Sequence, residues 1–258
     1  FSQDHLDYHQ TMKKYLRAKL ILFSKLLRTK SFIISDNSIK EYSYLKKISK
    51  KKQLKFLDMN KEIVNIKNKF VPLIGSFQFK NLAMSVLAAR LCNLSKFQIY
   101  KKLNLIKDVN GRLNLIKKYS NNINVFIDYA HTPEALSTSL KSLKETYNNN
   151  ISLVFGCGGE RDFKKRPLMA KAAKTYCNKI YVTDDNPRME NPVKIRKQII
   201  NHLKGTNYFN IGNRSTAIKQ AIINAEPNET ILIAGKGHEA YQDYGNRVIN
   251  ISDKEIIH

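Results

Sequence analysis

Apolar positions along this chain follow one kind of pattern up to about residue 110 and another beyond it. Near the start, Met12, Tyr15, Leu16, Lys19, Leu20 and Phe23 recur at spacings of three and four, the stripe of an amphipathic helix. Lys19 falls on or beside the apolar side of that stripe, although lysine is rarely buried without a partner. A snorkelling side chain suits the position, and so does a modified or metal-associated lysine with His5 and nearby acids for company. Short β-like runs follow at 32–35 and 54–57, separated by Lys-rich turns, with 50–52 expected to be a solvated loop. A strand is expected over 70–74, a turn at Gly75-Ser76-Phe77 and a strongly apolar helix over 81–94.

The pattern breaks at Asp108-Val109-Asn110-Gly111-Arg112, which divides the chain into expected domains of 1–109 and 110–258. Beyond the break, strand and helix signals alternate regularly. Strands are expected at 124–128, 152–155, 180–183 and 230–234, and helices at 133–147, 167–177, 192–203 and 215–225. Four apolar strands alternating with helices predict a parallel sheet covered on both faces. Each strand runs into a polar or Gly-rich turn: Asp128-Tyr129-Ala130-His131, Gly156-Cys157-Gly158-Gly159-Glu160-Arg161-Asp162, Asp184-Asp185-Asn186-Pro187-Arg188 and Gly235-Lys236-Gly237-His238-Glu239. In an open α/β sheet these turns share the carboxyl edge, where ligands bind.

Composition adds little to this picture. The chain has 258 residues, 42% of them hydrophobic, and no Trp. It contains no apolar run of membrane-spanning length and no secretory signal core at its start. Cys92, Cys157 and Cys177 show neither metal nor disulfide spacing, so a cytoplasmic protein is expected. The formal charge of +24 would suit a nucleic-acid partner. However, the excess is mostly Lys, spread along the chain among abundant Asn and Ile, as AT-rich coding produces. With no Arg-rich helix or aromatic-interleaved basic motif, neither a nucleic-acid nor a membrane partner is expected. The chain opens on Phe1 inside a motif, so it is expected to be part of a longer protein.

The segment 183–192 carries the most suggestive chemistry. Its two carboxylates, amide and guanidinium follow the apolar run Ile180-Tyr181-Val182. An Arg fork takes a carboxylate bidentately while Asp185 suits an ammonium, so together they would hold a zwitterionic amino acid. The same residues also suit a plain polar turn, stiffened by Pro187 and capping the next helix through Asp185 or Asn191. The glycine cluster 156–159 lets a ligand approach the backbone, yet it has neither the P-loop ending nor the dinucleotide fingerprint.

Taken in order, the motifs are Asp-His-Leu-Asp-Tyr-His from Asp4, Gly75-x-Phe77-x-x-x-Asn81, Gly111-Arg112, Asp-Tyr-Ala-His-Thr-Pro-Glu-Ala-Leu from Asp128, Gly-Cys-Gly-Gly-Glu-Arg-Asp, Asp-Asp-Asn-Pro-Arg and Gly-Lys-Gly-His-Glu. This series closely resembles the Mur ligases, and within them the diaminopimelate-adding branch. The resemblance implies an α/β chain holding the C-terminal part of a central ATPase domain, followed by a Rossmann-like C-terminal domain with a mostly parallel sheet. It implies ATP-dependent amide formation on UDP-N-acetylmuramoyl-dipeptide through an acyl phosphate, with ATP and Mg²⁺ as cofactors and a monomeric enzyme. By motif, His5 resembles a Mg²⁺ ligand and Lys19 the lysine that becomes carbamylated and orients that ion. Asn81, Arg112, Asp128 and His131 resemble ATP contacts, with Arg112 also catalytic. Arg161, Asp185, Asn186, Arg188, Gly235 and Glu239 match the meso-diaminopimelate pocket, with Arg188 favouring that substrate over lysine. Gln78 and Asn114 depart from the family pattern. An inactive fragment, a lysine-adding relative and a folylpolyglutamate synthetase are the alternatives, and the Asp-Asn-Pro-Arg string argues against the last two.

Overall fold

In the computed structural model, which describes every residue except Ser2, Asp4, Asn68 and Phe70, the chain divides into two units. One comprises Phe1 and Tyr8–Lys107; the other comprises Asp108–His258 with the described residues among Ser2–Asp7. A short helix α1, Leu6–His9, precedes the first larger elements.

In the first unit, helix α2 (Met12–Ile21) starts at an N-cap where Thr11 accepts from the Lys14 amide, and it runs into a π-helical turn over Leu22–Leu26. Strands β1 (Phe32–Ser35) and β2 (Lys55–Asp58) pair in parallel, joined through α3 (Tyr42–Lys51). Helices α4 (Asn60–Lys67), α5 (Ser76–Leu91) and α6 (Lys96–Tyr100) follow. Met59, Ile66, Leu82, Ala83, Val86 and Leu103 form the core. Three expectations fail here. Residues 50 and 51 end helix α3, because parallel strands need a crossover longer than a tight turn. Residues 71–74 form no strand, and the one-turn expectation at 75–77 gives way to a helix start: Gly75 at φ 89° is the N-cap of α5, and Ser76 and Phe77 lie inside it. The expected strand also included Phe70, which lies outside the described residues.

The second unit carries a six-stranded sheet in the order β3-β4-β8-β5-β6-β7. Its strands are β3 (Asn114–Lys118), β4 (Asn124–Asp128), β5 (Ile151–Phe155), β6 (Lys179–Val182), β7 (Asn207–Asn210) and β8 (Thr230–Ala234). Only β3 is antiparallel to its neighbour; the other pairs are parallel. Helices α7 (Pro133–Tyr147), α8 (Lys165–Tyr176), α9 (Pro192–Ile200) and α10 (Arg214–Ile223) alternate with the strands. The hairpin β9 (Tyr241–Asp243) and β10 (Val248–Asn250) and the helix α11 (Asp253–Ile257) complete it. Helix starts are encoded locally: Thr132 and Asn191 cap α7 and α9, whose first residue is a proline in the position where a missing N–H costs nothing, and Asn213 caps α10 through the Thr216 amide.

Every residue of β4, β5 and β8 is buried, which explains why they appear as unbroken apolar runs. On one face Val125, Ile127, Val154, Tyr181, Ile231 and Ile233 pack with Ala217, Ile218 and Ala221 of α10 and Ile257 of α11. The alternate set, Phe126, Leu153, Phe155 and Leu232, is fully buried too, as the period of two requires, and α7 packs against β8. The expected parallel sheet is thus present, widened by two edge strands. Among the described residues no helix is long and apolar enough to cross a membrane.

Candidate functional site

The carboxyl ends of β4, β5, β6 and β8 deliver their four turns to one cleft of about 220 Å³ in the second unit. From β4 come Tyr129 and His131, from β5 Gly158, Arg161 and Asp162, from β6 Asp185, Asn186 and Arg188, and from β8 Gly235 and Glu239. His5, Asp7 and Lys165 complete the lining.

Backbone geometry sets this cleft. Arg188 adopts a left-handed φ of 53°, uncommon for a side-chain-bearing residue. Its backbone N–H donates to the Asp243 carbonyl at 2.9 Å. Its guanidinium donates to the Gly159 carbonyl at 2.8 Å, and its Nε lies 3.9 Å from an Asp243 carboxylate oxygen. The glycine cluster makes room for this arrangement. A Cβ on Gly159 would collide with the Pro187 carbonyl, and one on Gly158 would lie 3.1 Å from the Arg188 guanidinium.

Beside it, the buried Asn186 is fixed at both ends of its amide. Its Oδ1 accepts from Lys236 Nζ at 3.1 Å and from the Asp243 N–H at 3.0 Å, while its Nδ2 donates to Glu239 at 3.2 Å. Lys236 is fully buried and lies 3.3 Å from the Glu239 carboxylate and over the Tyr241 ring. Asp185 is buried, with one oxygen accepting from the Asn186 N–H at 2.7 Å. Gln242 donates to the Asp184 and Asp185 carbonyls at 3.1 and 2.7 Å, clamping the β9 hairpin under the turn. Arg166, 1% exposed, donates to both oxygens of Glu190 at 2.6 and 2.7 Å and to the Gly158 carbonyl at 3.1 Å. This tie braces the glycine loop from behind. Arg214 forms a fully buried bidentate pair with Asp253 of α11, both bonds at 2.7 Å, and donates to the Ala234 carbonyl at 3.1 Å. It thereby anchors the strand end that leads to Gly235.

The cleft is therefore lined both by guanidinium groups, from Arg161 and Arg188, and by carboxylates, among them Asp185 and Glu239. Burial and the Glu239 carboxylate push the Tyr129 phenol above its ordinary range, keeping it a neutral hydroxyl at the rim. Burial raises the Cys157 thiol to about 12, so it is not a nucleophile.

The six residues expected to form the amino-acid pocket, Arg161, Asp185, Asn186, Arg188, Gly235 and Glu239, all line this one cleft. The other expected residues are more dispersed. His131 lines the cleft with its Nδ1 2.8 Å from the Tyr129 carbonyl, and His5 lines it too. Arg112 is exposed with its guanidinium 4.6 Å from the Tyr129 ring centre. Asp128 is 4% exposed and accepts from the Ser139 hydroxyl; burial lifts its carboxyl above the ordinary range against that bond. Asn81 and Lys19 lie in the first unit, and both are exposed. The expectation of a semi-buried Lys19 is thus corrected: only Tyr15 is buried along α2, and the Lys19 ammonium sits 5.0 Å from the Tyr15 ring centre, the snorkelling arrangement. Sequence reasoning missed Lys165, Gln242 and Asp243, and it quoted Lys236 within its Gly-Lys-Gly-His-Glu motif without giving it a role. Lys165 follows the Arg161-Asp162 motif by only three residues, the one signal available; the hairpin residues gave none.

Two family models match the chain: the Mur ligase middle domain over residues 1–89 and the Mur ligase, glutamate ligase domain over 111–237. With the α/β fold described above, these show that the chain belongs to the Mur ligases. The UDP-N-acetylmuramoyl-L-alanyl-D-glutamate--2,6-diaminopimelate ligase of Rickettsia bellii is 38% identical over 99% of this chain and 58% of its own length. The Clostridium acetobutylicum protein of that name, numbered 1, is 34% identical over 99% of this chain and 57% of its length. A solved structure of a ligase bearing the same name is 29% identical, with a TM-score of 0.57 over 99% of this chain and 57% of that one. The Mycobacterium tuberculosis folylpolyglutamate synthase, 16% identical over 91% of this chain and 59% of its own, shares the fold with a TM-score of 0.68. The chain thus spans a little under three fifths of the length of the curated relatives it matches.

Proposed function

We propose that this chain serves an ATP-dependent ligase that joins meso-diaminopimelate to UDP-N-acetylmuramoyl-L-alanyl-D-glutamate in the synthesis of a peptidoglycan precursor. Residues 1–109 are assigned to the central ATP-binding domain and 110–258 to the domain that binds the amino acid. The observation that carries this reading is Arg188, held by Gly159 and Asp243 in the same cleft as Asp185 and Glu239. Guanidinium and carboxylate groups lining one cleft of about 220 Å³ suit a small, doubly zwitterionic amino acid. In this reading Arg188 and Arg161 take carboxylates, Asp185 and Glu239 take an ammonium, and Asn186 fixes their spacing. Gly235 leaves room beside Asp185.

In the reaction the nucleotide-linked carboxylate attacks the γ-phosphorus of ATP and ADP leaves; the unprotonated amine of the incoming amino acid then attacks the acyl phosphate, expelling phosphate and losing a proton as the amide forms. Arg112, Asp128, His131 and Asn81 are assigned to ATP, on the motif match. The same match assigns His5 and carbamylated Lys19 to Mg²⁺. Among the described residues, however, no three His, Cys, Asp or Glu side chains come together to hold a metal ion.

Calorimetric titration of the chain with meso-diaminopimelate and with L-lysine tests the proposal. Saturable binding of diaminopimelate is expected, with lysine weaker by about tenfold or more because one charged partner is missing. Arg188→Ala should erase most of that difference. Equal binding of the two amino acids by the unaltered chain would defeat the assignment.

A further inference from the structure

One cation of the cleft is unaccounted for. Lys165 is the first residue of the twelve-residue helix α8, lines the cleft and is 6% exposed. Arg166 next to it is tied to Glu190, Gln198 and Gly158, and Lys236 is tied to Asn186 and Glu239. Lys165 alone among the buried cations of this site has no ion pair or side-chain hydrogen bond among the described residues. Its charge opposes the upward push of burial on the Cys157 thiol. A buried ammonium is costly to hold unpaired. The amino end of α8 adds positive potential at the same place. Both features favour an anion in the cleft.

We infer that Lys165 is a carboxylate-binding residue of this cleft, joining Arg161 on the substrate carboxylate that Arg188 does not hold. This deepens the proposed function and rests on it only for the identity of the amino acid. A dicarboxylic substrate then meets cations at two separate places, Arg188 on the turn after β6 and Lys165 at the start of α8, and a single-carboxylate amino acid satisfies only one of them. Arg161, 54% exposed and 3.7 Å from Asp7, is the more solvent-screened of the three cations and contributes less.

Titration calorimetry on Lys165→Met and Lys165→Arg, with folding verified by circular dichroism and thermal melting, decides the point. The probes are meso-diaminopimelate and pimelate, which has the two carboxylates without the amines. Lys165→Met should weaken diaminopimelate by about tenfold or more, and Lys165→Arg should restore part of the loss. If diaminopimelate binds Lys165→Met as well as the unaltered chain, the inference fails while the substrate assignment survives. If only pimelate binds, and needs Lys165, the inference stands and the substrate assignment falls. Absence of binding by either probe, or equal loss in both variants with melting unchanged, overturns the inference.

Discussion

At Gly235 the backbone turns with φ 112°, and a Cβ placed there would lie 2.6 Å from an Asp185 carboxylate oxygen. Only glycine adopts that conformation cheaply and leaves the carboxylate in place. Gly235→Ala is therefore expected to cost about 1–3 kcal/mol of stability and to weaken amino-acid binding by displacing Asp185. Thermal melting and calorimetry on the same protein read both effects. Unchanged melting with unchanged binding would mean that the turn relaxes freely. Residues such as Gly235, Asp185 and Arg188 were legible in the sequence because their types and order are unusual together. Lys165 and Asp243 were not. A lysine in a chain with 45 Lys and Arg residues carries no signal until burial singles it out, and Asp243 acts mainly through its backbone at a distance of 55 residues from Arg188.

Among the elements, the central strands and their helices were legible because burial on both faces writes long apolar runs and the caps write Thr-Pro and Asn-Pro. The edge strands β3 and β7 were not: one face of each is open, so Lys117, Lys118 and the flanking asparagines dilute the pattern. Helix α3 was hidden for a similar reason, since Leu45 and Ser49 are its only buried residues in a Lys-rich run. The contact between α8 and the turn before α9 makes a prediction about pH. The Arg166 guanidinium holds the Glu190 carboxyl below its ordinary value of 4.5, against partial burial. A carboxylate with a lowered folded pKa stabilises the protein above its unfolded pKa, and the contribution is lost as pH falls through the lower folded value. Glu190→Gln should therefore lower stability by about 2 kcal/mol near neutrality, and the gap from the unaltered protein should close as pH drops below 4.5. Melting curves from neutral to acid pH measure it. A gap that stays constant down the acid limb would assign the loss to packing instead of charge.

For the molecule as a whole the dominant physical fact is a formal charge of +24. The ion pairs that organise the second unit are short and shielded: Arg214 with Asp253 is fully buried, and Arg166 with Glu190 nearly so on the arginine side. Screening by salt acts weakly on such pairs and strongly on exposed like charges. Most of the lysine excess is of the second kind, as at Lys50 and Lys51 on α3 and at the exposed Lys101 and Lys102. Self-repulsion among these charges opposes the compact state, and salt relieves it. The melting temperature is therefore expected to rise as sodium chloride is raised from about 10 mM to about 150 mM, over which the screening length falls from roughly 30 Å to 8 Å. Amino-acid binding in the cleft should fall only modestly over the same range, because its cations are buried or braced. The two measurements discriminate between a surface whose charge is merely solvated and one whose ion pairs hold the fold. A melting temperature that drops with salt would mean that surface pairing outweighs repulsion, and the lysine excess would then have a structural role that its spread along the sequence does not suggest.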